Sequence, residues 1–180
     1  MKKASPNRFD WIELVARLQG ELTALEQEEI VWLRRQVERI ECLQRSLHEL
    51  ALLANAETIC ADCRGACCER GLHHLNLANL LSFLLRGESP PGPDFSATCP
   101  MLGASGCLLP AERRPFNCVT FICESVEDRL DPENRERFYR LEAQLREVYG
   151  CLSGRYPAAT LRGIWLYLER HPGGRILSKG

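Results

Sequence analysis

The sequence predicts a mainly α-helical protein: a long N-terminal helix or helical hairpin and C-terminal helices flank an irregular, cysteine-rich middle. Apolar residues recur at helical spacing in both terminal segments, whereas the middle holds eight of the ten cysteines and a loop rich in helix-breaking Pro and Gly. The length of 180 residues suits one compact domain. We divide it into residues 1–57, 58–130 and 131–180.

The N-terminal segment, residues 5–56, reads as helix. Ser5 suits an N-cap and Pro6 the first helical position. Acidic residues near 26–29 interrupt the apolar stripe, which predicts a bend or hairpin near residues 26–30. Two heptads on each side of the break are too few for a coiled coil, so we interpret the stripe as core. Its members are Trp11, Val15, Leu18, Leu22, Leu25, Leu33, Val37, Ile40, Leu43, Leu47, Leu50 and Ala54.

In the middle segment only residues 73–86 read as helix, with Gly87 as the stop signal. The following loop, GESPPGPDFSAT, contains too many Pro and Gly residues for regular structure.

Helix returns in the C-terminal segment. Asp131 is a predicted N-cap, Pro132 occupies the first helical position, and Glu133 lies in the first turn. A last helix is predicted from about residue 157 to 170, where His-Pro-Gly-Gly ends it. The inward residues of the two helices are expected to be Phe138, Leu141, Leu145, Val148, Leu161, Ile164, Trp165 and Leu168.

Composition excludes several classes of protein. With 45% hydrophobic and 26% charged residues the chain can bury a core. Lys plus Arg number 23 against 24 acids, so the basic surface of a nucleic-acid binder is missing. We expect no membrane span and no signal peptide, and therefore a cytoplasmic protein. Phosphate-binding glycine loops and the G-x-S-x-G and H-E-x-x-H motifs are absent.

The cysteines carry the chemistry. A C-x2-C pair lets two sulfurs approach one ion, and a bound cation stabilises thiolate at neutral pH. Disulfides do not persist in a reducing compartment, and chance burial does not produce such a cluster, so metal binding is favoured. All-thiolate coordination fits Zn²⁺ and an Fe–S cluster alike, and the ferredoxin run is absent. The predicted ligands are Cys60, Cys63, Cys67, Cys68, Cys99, Cys107, Cys118 and Cys123.

The remaining two cysteines, Cys42 and Cys151, stand alone on helical segments. We predict that they are small buried hydrophobic residues, because a cysteine that binds nothing is among the most buried residue types.

The run CADCRGACC, followed by CPML, GC and RRPFNC and ending at Cys123, resembles the YkgJ-type cysteine-cluster proteins, described as zinc- or iron-chelating. The resemblance covers roughly residues 60–123. It implies that the eight cysteines are the metal ligands, and it carries over Arg114 and Pro115 as motif positions; Asn117 departs from the pattern. Some proteins with a similar cluster are flagellin lysine methylases and others are labelled Fe–S oxidoreductases, so the resemblance implies a cofactor class and no substrate.

Three functions remain open at this point. The first is a metal-binding protein with a closed structural site, presenting its helical surfaces to a protein partner. The second is an Fe–S oxidoreductase or methylase-related enzyme, since eight thiols exceed the four that one structural ion needs. The third is metal storage or delivery. No catalytic residue is assigned, because Asp62, Glu69 and Glu112 lack the spacing of an acid–base pair.

Four further side chains near the cysteines are weaker candidates. An imidazole of His73 or His74 would complete a Cys3His site, but their place at a helix start favours surface capping. For Arg113 and Arg114 two interpretations are equally favoured. Their guanidinium groups would donate hydrogen bonds to sulfur or to an anionic substrate, or they form an ordinary surface pair.

Overall fold

The computed structural model describes residues 11–62, 74–104, 106–156 and 158–179. The chain is mainly helical. Within the described ranges it forms α1 (Trp11–Thr23), α2 (Gln27–Leu53), α3 (Ala56–Asp62), α4 (Leu77–Leu84), β1 (Leu102–Gly103), β2 (Gly106–Cys107), a 3-10 helix (Ala111–Arg113), α5 (Phe116–Thr120), α6 (Glu124–Glu127), α7 (Pro132–Arg155) and α8 (Leu161–Arg170). No helix in these ranges combines the length and the apolarity that crossing a bilayer needs.

The N-terminal segment is a pair of helices, which confirms the predicted break. The break lies at residues 24–26, slightly earlier than expected, and Glu26 is the N-cap of α2. Every predicted stripe position of α2 from Leu33 to Leu50 is buried, and so is Ala54 beyond its end. In α1 the stripe buries Leu18 and Leu22, while Trp11, Val15 and Leu25 pack against the core from its edge. Ser5 and Pro6 lie outside the described residues.

Helix α2 is the centre of the molecule. It packs against α7 and also against α3, α4, α5 and the 3-10 helix. The start of α2 meets the end of α7, where Glu29 accepts hydrogen bonds from Arg155 and Tyr156. The predicted N-cap of α7 is confirmed, since the Asp131 carboxylate accepts from the Asn134 backbone N–H at 2.8 Å. Phe138 and Leu145 of α7 are fully buried in this core.

Helix α8 is followed by a C-terminal tail that returns to α1. Thr160 caps α8 by accepting from the Gly163 backbone N–H at 3.0 Å. In the tail, Ile176 and Leu177 are buried, and their backbone N–H groups donate to the buried Glu21 carboxylate at 3.0 and 2.7 Å. The tail is neither helix nor strand, so these two buried N–H groups have no backbone partner of regular structure. The Glu21 carboxylate accepts from both of them.

Replacing Glu21 with Ala is expected to lower the free energy of unfolding by about 2–3 kcal/mol, because it leaves two buried N–H groups without acceptors. Denaturant unfolding of the variant measures the loss. Glu13→Ala, at an exposed position of the same helix, is the matched control and should change stability by less than about 0.5 kcal/mol. Equal effects of the two substitutions would contradict the assigned role of Glu21.

The middle segment contains more helix than the sequence predicted. The expected helix over residues 73–86 begins only at Leu77, because Asn76 forms a reciprocal capping box with Asn79. It ends at Leu84, two residues before the predicted end at residue 86, and the turn that follows closes at Gly87, whose φ is +73°. Helices α3, α5, α6 and the 3-10 helix were not predicted, because pieces of three to seven residues are too short to show a helical period. Residues 88–98 form neither helix nor strand, in agreement with the prediction for this loop.

Candidate metal centre

Two of the predicted ligands lie on a short hairpin. Strands β1 and β2 are antiparallel, with Leu102 opposite Cys107. The Cys99 carbonyl accepts from the Leu102 N–H at 3.1 Å, just before β1. Gly106 has φ +119°, a conformation that favours glycine and allows the tight return of the chain. The hairpin therefore carries Cys99, half-buried, and Cys107, exposed, on adjacent segments.

Buried amides of other helices hold the Arg-Arg-Pro segment that precedes α5. Asn79 of α4 donates from Nδ2 to the Arg113 carbonyl at 3.1 Å, and Gln44 of α2 donates to the Arg114 carbonyl. The Arg114 side chain donates from Nε to the Leu109 carbonyl at 3.2 Å. These bonds fix the backbone that leads into α5.

The two arginines are structural. Arg113, only 13% exposed, forms ion pairs with Glu88 and Glu41, and its guanidinium lies 4.5 Å from the centre of the Phe83 ring. The Arg113 guanidinium in turn lowers the pKa of the Glu88 carboxyl. Arg114 is tied to the Leu109 carbonyl. In the described residues both side chains thus hold the fold, and of the two interpretations left open by the sequence neither a contact to sulfur nor a freely exposed pair is observed for Arg113, which is enclosed by its partners.

The last two predicted ligands lie on α5 and at the start of α6. Cys118 is exposed on α5, and Cys123, half-buried, is the N-cap of α6. Helix α6 packs against α3, which carries Cys60. The Cys118 Sγ lies 3.5 Å from Nδ1 of His74, although 44 residues separate them. The structure therefore brings α3 next to α6 and His74 next to α5.

The eight predicted ligands divide into two sets. Five are described, and all of them are exposed or half-buried: Cys60, Cys99, Cys107, Cys118 and Cys123. The calls on Cys63, Cys67, Cys68 and His73 lie outside the described residues. Among the residues that are described, no group of three or more His, Cys, Asp or Glu side chains is placed to hold a metal ion, and no disulfide joins two cysteines.

The predictions that Cys42 and Cys151 are buried and that His74 caps a helix are wrong. Cys42 and Cys151 are exposed rather than buried. Cys42 follows Ile40 by two positions, so the helical rotation turns it away from the buried stripe. His74 does not cap α4, because Asn76 occupies the N-cap position and supplies the capping oxygen.

A shallow depression of about 380 Å³ adjoins the contact between Cys118 and His74. Its lining consists of His74, Asn76, Phe116, Asn117, Arg146, Tyr149, Gly150, Ser153 and Thr160. The Phe116 and Tyr149 rings meet edge to face at 5.5 Å between centroids, and the Arg146 guanidinium covers Phe116 at 5.1 Å. Aromatic rings and one cation therefore form much of the wall.

Tyr149 was not predicted as part of any site. Its hydroxyl oxygen is buried and has no hydrogen-bond partner within the described ranges. Burial raises the pKa of Tyr149, and the nearby amides of Asn79 and Asn76 oppose this effect only in part. In the sequence Tyr149 is one more residue beside the apolar stripe of α7, so no local signal distinguishes it.

Comparison with protein-family models, with curated proteins and with solved structures finds no match to this chain. The resemblance to YkgJ-type cysteine-cluster proteins stays a prediction that depends on the cysteine spacing alone.

Proposed function

We propose that this protein is a metal-binding protein of the cysteine-cluster type, which holds zinc or an iron–sulfur cluster through its eight clustered cysteines. The observation that carries the proposal is the placement of the two ends of residues 63–73. Asp62 ends α3, which packs against α6, the helix that Cys123 caps, and His74 contacts Cys118. Cys63, Cys67 and Cys68 belong to residues 63–73 in the sequence. One flank of this segment, α3, packs against α6, and the other flank, His74, contacts Cys118 on α5.

The exposure of the described cysteines also supports the proposal. A cysteine that serves only packing is usually buried. All five described members of the cluster keep their thiols exposed or half-buried, while leucine, valine and methionine side chains of the same segments fill the core. A thiolate that binds metal needs access to the ion, and these thiols meet that condition. Cys42 and Cys151 are exposed as well, so it is the spacing of the eight cysteines, and not exposure, that distinguishes the proposed ligands.

The number of thiols and the chemistry of thiolate suit two kinds of metal centre, a zinc ion and an Fe–S cluster. Four thiolates complete a structural zinc site, and four also hold an Fe–S cluster. Eight clustered cysteines therefore provide for more than one closed site, or for one site together with thiols that serve another purpose.

An Fe–S enzyme, an oxidoreductase or a methylase-related protein, is the second candidate function. The depression beside Cys118 favours it, because an open space of about 380 Å³ next to a predicted ligand offers room for a small substrate group. Its chemistry would come from the cluster, with aromatic and cationic side chains of the depression binding the substrate.

Purification without oxygen, followed by elemental analysis and an absorption spectrum, tests the proposal. Wild-type protein is expected to carry at least one equivalent of zinc, without colour, or iron with a brown cluster. Cys99→Ser is expected to weaken metal retention against a competing chelator by at least about 10-fold, because it removes a direct ligand. The matched control is Cys42→Ser, an exposed cysteine outside the cluster, which should retain metal like the wild type.

Metal-free wild-type protein, even after reconstitution under reducing conditions, would rule out the proposed function. A Cys99→Ser variant that retains metal as well as Cys42→Ser does would remove Cys99 from the ligand set. Near-stoichiometric zinc without iron would eliminate the Fe–S enzyme.

A further inference from the structure

We propose that the depression between α5 and α7 binds a small aromatic carboxylate, with the ring of the ligand against Phe116 and Tyr149 and its carboxylate beside Arg146. The inference goes beyond the proposed function, because it needs no metal ion and uses no cysteine. The depression, of about 380 Å³, falls in the size range of small-molecule sites in proteins. Described residues of α7, of α5 and of the segments around Asn76 and Thr160 form its walls and floor.

One wall of the depression is a single face of α7. Arg146, Tyr149, Gly150 and Ser153 follow one another at intervals of one to three residues that keep them on one side of the helix, in a row about 10 Å long. Within this row Gly150 leaves a gap, since a Cβ atom placed on it meets nothing within 4 Å apart from its chain neighbours and its own helix backbone. The missing side chain at this position therefore opens the depression along α7.

The apolar part of the lining is aromatic. The Phe116 and Tyr149 rings, both half-buried, meet edge to face at 5.5 Å between centroids, with 74° between their planes. A third ring placed against them makes the offset or perpendicular contacts that aromatic pairs prefer. The wall therefore favours a planar aromatic ligand.

The fixed charge of the lining is positive. Arg146 is part of it, and none of the described lining residues is acidic. The Arg146 guanidinium covers the Phe116 ring at 5.1 Å and donates to Glu142 through Nη2, which uses one of its five N–H donors. The Arg146 side chain is 68% exposed, and an ion pair at such a position is weak. A ligand carboxylate beside the guanidinium therefore gains charge-assisted hydrogen bonds from the remaining donors.

Two helix N-termini add to this positive charge. Asn76 and Thr160, which form the floor of the depression, are the N-caps of α4 and α8. An antiparallel bridge holds them side by side, and next to it the Leu77 N–H donates to the Ala159 carbonyl at 2.7 Å. The positive ends of both helix dipoles therefore lie at one floor, which favours an anion. Together with a single guanidinium they suit a carboxylate with one charge better than a doubly charged phosphate.

A hydrogen-bond donor without a partner lies where the wall meets the floor. The Tyr149 hydroxyl is buried near the amide of Asn76, and no group in the described ranges forms a hydrogen bond with it. A buried O–H group without an acceptor is costly, and a carboxylate oxygen is a strong acceptor. A ligand carboxylate between Arg146 and Tyr149 would supply that acceptor.

Saturation-transfer NMR on the full-length protein tests the inference with three probes: benzoate, benzamide and acetate. Benzoate is expected to bind at least about 10-fold more tightly than benzamide, which has nearly the same shape without the charge, because charge-assisted hydrogen bonds are roughly twice as strong as neutral ones. Acetate keeps the charge and lacks the ring, so it should also bind at least about 10-fold more weakly than benzoate.

Gly150→Leu tests the location of the site. Its side chain leans toward the preceding turn, which carries Arg146, and occupies the gap, so benzoate should bind at least about 10-fold more weakly. Gly154→Leu is the matched control, since Gly154 lies on the same helix, has open space around its Cβ position and is not part of the lining. Leu favours helix more than Gly does, so both variants should fold, which circular dichroism verifies.

Arg146→Gln tests the charge. It should lower the affinity for benzoate to about that for benzamide and leave benzamide binding unchanged, because it removes the guanidinium and keeps hydrogen-bonding capacity. Arg140→Gln is the matched control: Arg140 forms the same kind of pair, with Glu136 at 2.9 Å, on the exposed surface of α7. This variant should bind benzoate like the wild type.

Benzoate that binds equally to the wild type and to Gly150→Leu would place the ligand outside the depression and overturn the inference. Equal affinities of the wild type for benzoate and benzamide, or an Arg146→Gln variant that still distinguishes them, would overturn the anionic class of the ligand. A wild-type protein that binds none of the three probes would overturn the inference as a whole. These substitutions change no predicted metal ligand, so each of these failures leaves the metal-binding proposal standing.

Discussion

Replacing Glu29 with Gln is expected to lower the free energy of unfolding by about 3 kcal/mol at neutral pH. Glu29 is buried at the start of α2, where its carboxylate accepts from Arg155 Nε at 2.6 Å and from the Tyr156 hydroxyl at 2.5 Å, with Lys179 Nζ at 2.8 Å. The hydrogen bond from Arg155, with help from Lys179 and Tyr156 and against the effect of burial, lowers the pKa of Glu29 from 4.5 to about 2. Gln keeps the shape and loses the charge.

The pH dependence gives the sharper test. Because the pKa of Glu29 is lower in the folded protein than the ordinary value of 4.5, its stabilisation is complete above about pH 5 and is lost as the pH falls from there to about 2. The difference between wild type and Glu29→Gln should therefore shrink over this window. Denaturant titrations at several pH values measure it.

Glu28→Gln is the matched control, since Glu28 precedes Glu29 on the same helix and is exposed. It should alter stability by less than about 0.5 kcal/mol at any pH in this range. A stability difference between wild type and Glu29→Gln that does not change between pH 7 and pH 2 would contradict the role assigned to the Glu29 charge.

Replacing Phe138 with Ala is expected to cost about 3–5 kcal/mol of unfolding free energy. Phe138 lies on α7, has no exposed surface and is part of the core that surrounds α2. Truncation leaves a cavity in this core, and close-packed neighbours collapse into it only in part.

Denaturant unfolding measures the loss in Phe138→Ala, with Leu53→Ala as the control for truncating an apolar side chain. Leu53, at the end of α2, is 70% exposed and should tolerate truncation with a change below about 1 kcal/mol. A loss from Phe138→Ala no larger than that from Leu53→Ala would contradict the burial of Phe138 in the core.

Sequence periodicity predicts the long helices well, because an amphipathic helix repeats its apolar face every few residues. The stripe from Leu33 to Leu50 and the cap at Asp131 are both readable from neighbours in the chain. The exposure of Cys42 follows in the same way from its phase relative to Ile40, a member of the buried stripe.

The roles of the buried acids were not readable. Glu29 belongs to the acidic stretch that marks the break between α1 and α2, and Glu21 is one more polar position of α1. Their burial depends on partners more than 120 residues away, Arg155 and Tyr156 for Glu29 and the Ile176 and Leu177 N–H groups for Glu21. No local pattern encodes a partner at that separation.

By itself the amino-acid sequence determined that this protein is mainly helical, that its N-terminal helical segment is broken in two, that α7 begins after Asp131, and that eight of its ten cysteines cluster in the middle segment. Only the tertiary structure decided that His74 meets Cys118, that Tyr149 borders them, and that Arg113 is enclosed by acids and a ring. The physical reason is range: helical periods and caps act within about one turn, whereas side chains from separate elements meet only after the core has packed.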